Sequence, residues 1–152
     1  MSQAEKEAIS VLTAVIGKKY VLTDKKSVEF YSMDVYRSFE TPIAVVQPGS
    51  VEELQEVVRV ATGLGIAIVT RGGGASYTDG YLVTTPKSIT IETSRLNQIV
   101  EINEEDMLVT VEPGVTWAEM AAALAAKNLR TPFWGPFSGL KATVGGSTSQ
   151  NS

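Results

Sequence analysis

The sequence predicts an α+β fold, in which a small parallel βαβ unit is followed by a mainly antiparallel sheet with helices. Two short, continuous apolar runs at 43–46 and 66–69 enclose an amphipathic stretch, an order typical of two buried strands joined by a helix. Two alternating runs at 99–102 and 108–112 enclose polar residues, a pattern typical of an antiparallel hairpin. The 152 residues suffice for one ordinary domain with a buried core.

The chain opens with a predicted helix. Ser2 and Glu5 have the spacing of a capping box. Apolar residues then recur at the helical period, at Ile9, Leu12, Val15 and Ile16. Residues 18–41 mix aromatic and polar side chains without a period, and we predict an irregular covering segment there. We therefore expect two regions: residues 1–41, the N-terminal helix and covering segment, and residues 42–152, which carry all the motifs described below.

The predicted βαβ unit has its own helix signals. Ser50 and Glu53 repeat the capping-box spacing immediately before the amphipathic stretch. The apolar stripe of this helix consists of Val51, Leu54, Val57, Val58, Ala61 and Leu64. Because such crossovers are right-handed and join parallel strands, the loop after the second strand is expected at a carboxyl edge of the sheet, where α/β proteins bind ligands.

The second half of the chain has a different pattern. Residues 88–92 alternate, so that Ile89 and Ile91 are predicted to face one side. After the hairpin, Thr116 and Glu119 form a third capping-box spacing. The helix that follows is predicted to pack through Trp117, Met120, Ala121 and Leu124.

Composition excludes several kinds of function. The chain has no histidine and no cysteine, which rules out a Ser-His-Asp triad, a thiol nucleophile and ordinary zinc sites formed from its own residues. A net charge of −4 without a basic patch argues against nucleic acid as a partner. No apolar run approaches the roughly 20 residues needed to span a bilayer, so we expect no membrane span. We expect a cytoplasmic location, with which the absence of cysteine agrees. The acidic run 104–106 is typical of a solvated turn, and we predict no metal site.

The most informative segment is Arg71–Gly80, which we name the glycine loop. Its three consecutive glycines follow a predicted buried strand and let the backbone approach a ligand closely, and successive N–H groups in such a turn form a nest that suits a phosphate. The alternative is a purely structural turn. Arg71 is either a phosphate ligand or an ordinary surface arginine, and Tyr77 and Tyr81 either cover a ligand or pack on the sheet.

Two well-known phosphate-binding patterns do not fit the glycine loop. A P-loop requires Gly-Lys-Ser/Thr, and no lysine follows these glycines. The dinucleotide fingerprint requires a third glycine where this chain has Tyr77, and a helix where this chain is polar.

Four motifs occur in the order found in another family. They are 45–54 (VVQPGSVEEL), 71–76 (RGGGAS), 111–115 (VEPGV) and 143–146 (TVGG). Residues 42–151 thereby resemble the first part of the FAD-binding domain of the vanillyl-alcohol-oxidase/PCMH-type FAD-linked oxidases, which include D-lactate dehydrogenase and glycolate oxidase groups. The resemblance implies a PCMH-type FAD-binding fold, incomplete at its C-terminus, with FAD between two α+β subdomains.

The resemblance also implies a set of cofactor-binding residues. The glycine loop would cradle the pyrophosphate, and residues 139–146 would lie along the ribityl chain and the isoalloxazine. The positions carried over are Arg71, Gly72, Gly73, Gly74, Ala75, Ser76, Tyr77, Gly80, Pro113, Gly139, Thr143, Gly145, Gly146, Gln150 and Asn151. Trp117 is expected in the core, and Trp134 and Phe137 are expected either to pack or to contact the flavin edge.

Two departures from the family pattern shape the functional expectation. Some members attach FAD through a histidine at the position of Ala75, so with neither histidine nor cysteine present we expect non-covalent FAD. The substrate-binding cap and the catalytic base of the family lie beyond Ser152, so no catalytic residue is predicted here and a small-molecule substrate is expected only for a longer form. The expected function is the FAD-binding part of an oxidoreductase acting on a 2-hydroxy acid or alcohol. The alternative is a non-catalytic fragment that self-associates and binds FAD weakly or not at all.

Overall fold

The computed structural model describes residues 2–132 and 139–151. The chain forms two compact units, and each is described by itself. The first unit comprises Met1–Arg71 and Ser76–Arg95, and the second comprises Gly72–Ala75 and Leu96–Ser152. The glycine loop therefore begins in the first unit, passes through the second with Gly72–Ala75, and returns to the first.

The first unit is built on a four-stranded sheet. Its strands are β1 (Val21–Leu22), β2 (Ala44–Val46), β3 (Ala67–Arg71) and β4 (Ser88–Glu92), in the spatial order β1-β2-β4-β3. Strands β2 and β3 both pair in parallel with β4, whereas β1 is antiparallel to β2. The parallel βαβ prediction is thereby confirmed, with β4 inserted between the two predicted strands.

Strand β4 differs from its sequence pattern in burial. All five of its residues are buried, although the alternation predicted one buried face. The reason is its central position, because a strand flanked on both sides by parallel neighbours in a covered sheet is buried on both faces.

Three helices belong to the first unit: α1 (Gln3–Ile16), α2 (Lys25–Tyr31) and α3 (Val51–Gly63). Helix α1 begins with the predicted capping box, and Ala8, Leu12 and Ile16 are buried in the core. A 3-10 turn (Lys18–Tyr20), β1 and α2 occupy the segment that was predicted to be irregular. That segment lacks a clear period because β1 and α2 are too short to show one.

Helix α3 shows two departures from prediction. The Ser50 hydroxyl accepts the N–H of Glu53 at 3.2 Å, but the Glu53 carboxylate accepts the N–H of Gly49 instead of completing the box on Ser50. The buried face also differs from the predicted stripe, since Val60 is buried while Val51, Val58 and Leu64 are 53%, 36% and 39% exposed. The core of this unit covers a narrower face of the helix than the spread of apolar residues indicated.

The second unit contains the antiparallel hairpin β5 (Ile99–Asn103) and β6 (Leu108–Val111), followed by α4 (Trp117–Ala125) and α5 (Val144–Ser149). The predicted hairpin and the capping box of α4 are both present. The core of this unit contains Val115, Trp117, Met120, Leu124 and Ala142. The short helix α5 was not predicted. Within the described part of the chain, no helix has the length and apolarity needed to cross a membrane.

Candidate functional site

In the second unit, Gly72 and Gly73 of the glycine loop pack directly on residues 141–143. A Cβ built on Gly73 would lie far inside 3.0 Å of the carbonyl oxygen of Lys141, and 3.2 Å from the nitrogen of Ala142. A Cβ on Gly72 would overlap the hydroxyl of Thr143. Backbone packing therefore excludes a side chain at Gly73 with or without a ligand, whereas at Gly72 the obstacle is the side chain of Thr143.

A second close approach involves the Pro113 motif. A Cβ on Gly145 would lie 2.6 Å from Cβ of Pro113. The N–H of Gly145 donates to the Pro113 carbonyl at 3.0 Å, and the N–H of Val144 donates to the Val115 carbonyl at 2.8 Å. Residues 72–75, 113–115 and 141–146 are thus brought together in one unit, although they are far apart in the sequence.

Helix α5 and its flanks carry the remaining residues of the second unit. Thr143 caps the helix, since its hydroxyl accepts the N–H of Gly146 at 3.2 Å. The indole N–H of Trp117 donates to the Ser147 hydroxyl at 2.8 Å, which fixes the helix to the core.

Three further predicted positions lie around these elements. Gly139 has φ of +63°, a conformation that favours glycine, and its carbonyl accepts the N–H of Ala118 at 3.0 Å. Gln150 and Asn151 follow the end of α5 and are exposed. The predictions for Trp134 and Phe137 lie outside the described residues.

Several backbone N–H groups of the glycine loop are available as hydrogen-bond donors to a ligand. No residue among 2–132 and 139–151 accepts a hydrogen bond from the N–H of Gly72, Gly73 or Ala75. Gly74 has φ of +66°, and left-handed residues of this kind are typical of backbone nests that bind anions. Gly72–Ala75 are only half-buried, so these donors are not sealed in the core.

The sequence suggested that Arg71 is either a phosphate ligand or a surface arginine, but its environment in the structure differs from both. Its side chain is buried, and Nη1 donates to the carbonyls of Tyr31 and Met33 at 3.2 and 2.8 Å. The guanidinium carbon lies 4.5 Å from the centre of the Tyr81 ring. Burial lowers the pKa of Arg71 from its ordinary value, but an arginine in a protein keeps its charge.

The two tyrosines of the loop region have separate roles. Tyr81 is buried, and its hydroxyl donates to the Ser76 carbonyl at 3.1 Å, so it is a packing residue. Burial raises the pKa of the Tyr81 phenol. Tyr77 is 44% exposed and packs on the ring of Tyr36, with the centroids 5.8 Å apart. Gly80 is exposed.

Sequence reasoning missed the residues that hold the glycine loop. Asp34 is buried in the segment predicted to be irregular, and its Oδ1 accepts the N–H groups of Tyr36 and Arg37 at 2.7 and 2.8 Å. Those hydrogen bonds lower the pKa of the Asp34 carboxyl. Arg37 in turn makes a two-point ion pair with Asp79. An aspartate can accept the N–H groups two and three residues further on, but a single aspartate in a sequence is a weak signal for such a turn.

No cluster of metal-binding side chains is present in the parts of the chain that the structure describes. Glu104, in the acidic run, pairs with Lys127, and Asp106 bonds with Asn103. These contacts agree with a solvated turn.

In this α+β protein the glycine loop follows a parallel strand, and three of its amides have no acceptor among the described residues. These are features of a phosphate-binding or nucleotide-binding class. Comparison with known proteins makes this specific. A family model described as FAD binding domain matches residues 42–152. The chain belongs to this FAD-binding domain family.

Relatives of this chain include an oxidase subunit and a dehydrogenase. The glycolate oxidase subunit GlcD of Bacillus subtilis is 32% identical over 123 residues, covering 80% of this chain and 26% of its own length. The D-2-hydroxyglutarate dehydrogenase of Stutzerimonas stutzeri is 31% identical over 125 residues, covering 82% of this chain and 27% of its own length. The chain thus spans about a quarter of the length of these relatives.

Solved structures agree on the fold. The 4-ethylphenol oxidase of Gulosibacter chungangensis superimposes with a TM-score of 0.84 and 27% identity over 97% of this chain and 29% of its own. A p-cresol methylhydroxylase gives a TM-score of 0.82 and 26% identity over 97% of this chain and 30% of its own. The predicted PCMH-type FAD-binding fold is confirmed.

Proposed function

We propose that the glycine loop binds the pyrophosphate of FAD and that this chain is the FAD-binding part of an oxidoreductase. The observation that carries the proposal is the set of N–H groups at Gly72, Gly73 and Ala75, which lie in a half-buried turn and donate to no residue among 2–132 and 139–151. Hydrogen bonds from such donors to an ionised oxygen are about twice as strong as those between neutral groups. No basic side chain is required, and Arg71 is already engaged elsewhere.

The other cofactor-binding positions implied by the family resemblance would contact the rest of FAD. We assign Gly139, Thr143, Gly145 and Gly146 to the flavin side on the family resemblance, and the contact of Thr143 with Gly72 supports this for Thr143. Pro113 supports that segment through its contact with Gly145. Ser76, Tyr77 and Gly80 belong to the proposal on the family resemblance, as do Gln150 and Asn151.

The proposal includes non-covalent attachment of FAD. Ala75 has no nucleophilic atom and packs against the core of the second unit. No histidine or cysteine exists elsewhere in the chain to replace it. Denaturation should therefore release any bound flavin from the polypeptide, and flavin that stays with the denatured chain would contradict this part of the proposal.

When bound, FAD supplies a hydride acceptor, and the protein supplies binding and orientation. We propose a 2-hydroxy acid or an alcohol as the substrate class of a longer form, supported by the names of the relatives, a glycolate oxidase subunit and a D-2-hydroxyglutarate dehydrogenase. Other relatives have different names, among them 1'-carboxy-chondrochloren decarboxylase of Chondromyces crocatus, 28% identical over 130 residues. The reaction must then depend on residues outside the part they share.

A second candidate is a fragment that self-associates and binds FAD weakly or not at all. The observation that favours it is the exposed apolar surface of the hairpin. Val100, Met107 and Leu108 are 64%, 68% and 64% exposed. Apolar strand surface of this kind promotes association between copies.

A comparison of flavin ligands tests the pyrophosphate assignment. FAD, ADP, FMN and riboflavin are titrated into the purified chain, and binding is measured by calorimetry or flavin fluorescence. A pyrophosphate loop predicts that FAD binds best and that ADP competes, whereas riboflavin does not. Equal affinity for FAD and riboflavin would refute the loop assignment, and no binding of any flavin would favour the self-associating fragment.

A further inference from the structure

The flanks of the glycine loop are held by one short segment of the first unit, residues 31–37, which we name the clamp segment. It lies in the region where sequence analysis predicted no regular structure. Its contacts reach Arg71, where the loop begins, and Asp79, near the loop's end. The seven residues between these two anchors include all the amides assigned to the pyrophosphate.

The first anchor is Arg71 at the end of helix α2. The last carbonyls of a helix have no partner within it, and a cation at this end also interacts favourably with the helix dipole. The guanidinium of Arg71 donates to the carbonyl of Tyr31, the last residue of α2, and to that of Met33. The aromatic ring of Tyr81 covers the guanidinium, so that residues on both sides of the loop meet at this point.

The second anchor is the ion pair of Arg37 with Asp79. Asp34 forms the turn that presents Arg37, since Oδ1 of Asp34 accepts two N–H groups and its own N–H donates to the Arg37 carbonyl at 3.0 Å. Nε of Arg37 donates to Oδ1 of Asp79 at 3.2 Å, and Nη2 donates to Oδ2. Asp79 has φ of +60°, and its carbonyl accepts the N–H of Leu82 at 2.9 Å.

We propose that the clamp segment positions the glycine loop for its ligand, with Arg37, Asp79 and Arg71 acting as positioning residues that do not touch the cofactor. This inference rests on the proposed FAD function. A ligand that binds a mobile loop loses affinity to the entropy of ordering it, and fixing both loop ends in advance removes part of that cost.

The test is a double-mutant cycle on the second anchor, the ion pair of Arg37 with Asp79, because its side chains lie at the surface. The variants are Arg37→Met, Asp79→Asn and the combination of both. Asparagine keeps the shape of aspartate and tolerates a positive φ. The matched control is Arg59→Met, which removes an exposed ion pair with Glu56 on helix α3, away from the clamp segment.

The first readout needs no cofactor. Hydrogen exchange of the bonded amides at the second anchor, those of Thr78 and Leu82, is expected to accelerate by about two- to fivefold in each single variant, the range for losing an exposed ion pair. The double variant should match the singles, because both act through one contact. High salt should accelerate exchange in the unmodified protein and leave the variants unchanged. Equal exchange rates in the unmodified protein, the two single variants and the double variant would refute the proposal that the clamp segment holds the loop.

The second readout is the affinity for FAD, measured by calorimetry on the same proteins. The dissociation constant should rise by the same factor of about two to five in the three clamp variants and stay constant in Arg59→Met. Faster exchange without weaker FAD binding would overturn the positioning role. If the unmodified protein fails to bind FAD, the proposed function is refuted, and the exchange experiment still decides whether the clamp holds the loop.

Discussion

Substitution of Gly73 by alanine should destabilise the second unit severely, and the structure gives the reason. The added Cβ would overlap the carbonyl oxygen and carbon of Lys141 and lie 3.2 Å from the nitrogen of Ala142. All three are backbone atoms, so relief requires the 141–143 segment to move. Overpacking of a core costs about 1–3 kcal/mol, and we expect the upper end because no side chain can rotate away.

Urea unfolding followed by tryptophan fluorescence measures this effect, because Trp117 is buried in the same unit. A loss of about 3 kcal/mol lowers the midpoint by about 1 M or more for a protein of this size. Gly63→Ala is the matched control, since nothing lies within 4 Å of the added Cβ at the end of helix α3. That substitution should be neutral or stabilising by up to about 1 kcal/mol. A Gly73→Ala midpoint equal to that of the unmodified protein would refute the packing argument.

Three further outcomes are expected. Ser147→Ala removes the 2.8 Å hydrogen bond from the Trp117 indole and should cost about 1 kcal/mol in the same urea experiment, with no change expected if that bond contributes nothing. Glu119 accepts hydrogen bonds from Thr116, which lower its pKa below 4.5, so the capping box contributes stability above that pH and loses it as the pH falls through the lowered pKa. Glu119→Gln should flatten this acid dependence in thermal melts, and an unchanged profile would contradict the assignment. Leu108→Lys on the exposed hairpin should shift the chain toward monomer in sedimentation velocity, whereas a wild type already monomeric would argue against self-association.

Local signals predicted the regular elements well. The N-caps at Ser2, Ser50 and Thr116 were correct because the hydroxyl and the N–H that it accepts lie three residues apart, although at Ser50 the reciprocal bond of the box goes to Gly49. The hairpin was correct because its alternation matches the pairing of β5 with β6. Long-range packing was not predictable in this way. The insertion of β4 between β2 and β3, and the narrow buried face of α3, depend on neighbours that no local period reveals.

In the candidate site too, the residues in local motifs were predicted and those that depend on long-range contacts were not. Glycines, prolines and their order pointed to residues 72–75, 113–115 and 143–146, and the structure brings these segments together. The clamp segment escaped notice because its function depends on an arginine 40 residues away along the chain. Arg71 itself was identified as a residue of interest, but charge alone could not distinguish a phosphate ligand from a buried cap on helix α2.

The presence of glycine at positions 72 and 73 therefore has two explanations, packing within the protein and close approach to a ligand. Packing on the backbone of Lys141 already requires glycine at position 73, and the Thr143 hydroxyl crowds any side chain at position 72, whether or not the chain binds FAD. A glycine substitution that abolishes flavin binding would consequently reveal little, since the second unit would be damaged in either case. The discriminating feature is the set of amides at Gly72, Gly73 and Ala75 that no described residue accepts. The ratio of the affinities for FAD and riboflavin tests whether a pyrophosphate accepts them, and it therefore carries more information than any mutation of the glycines.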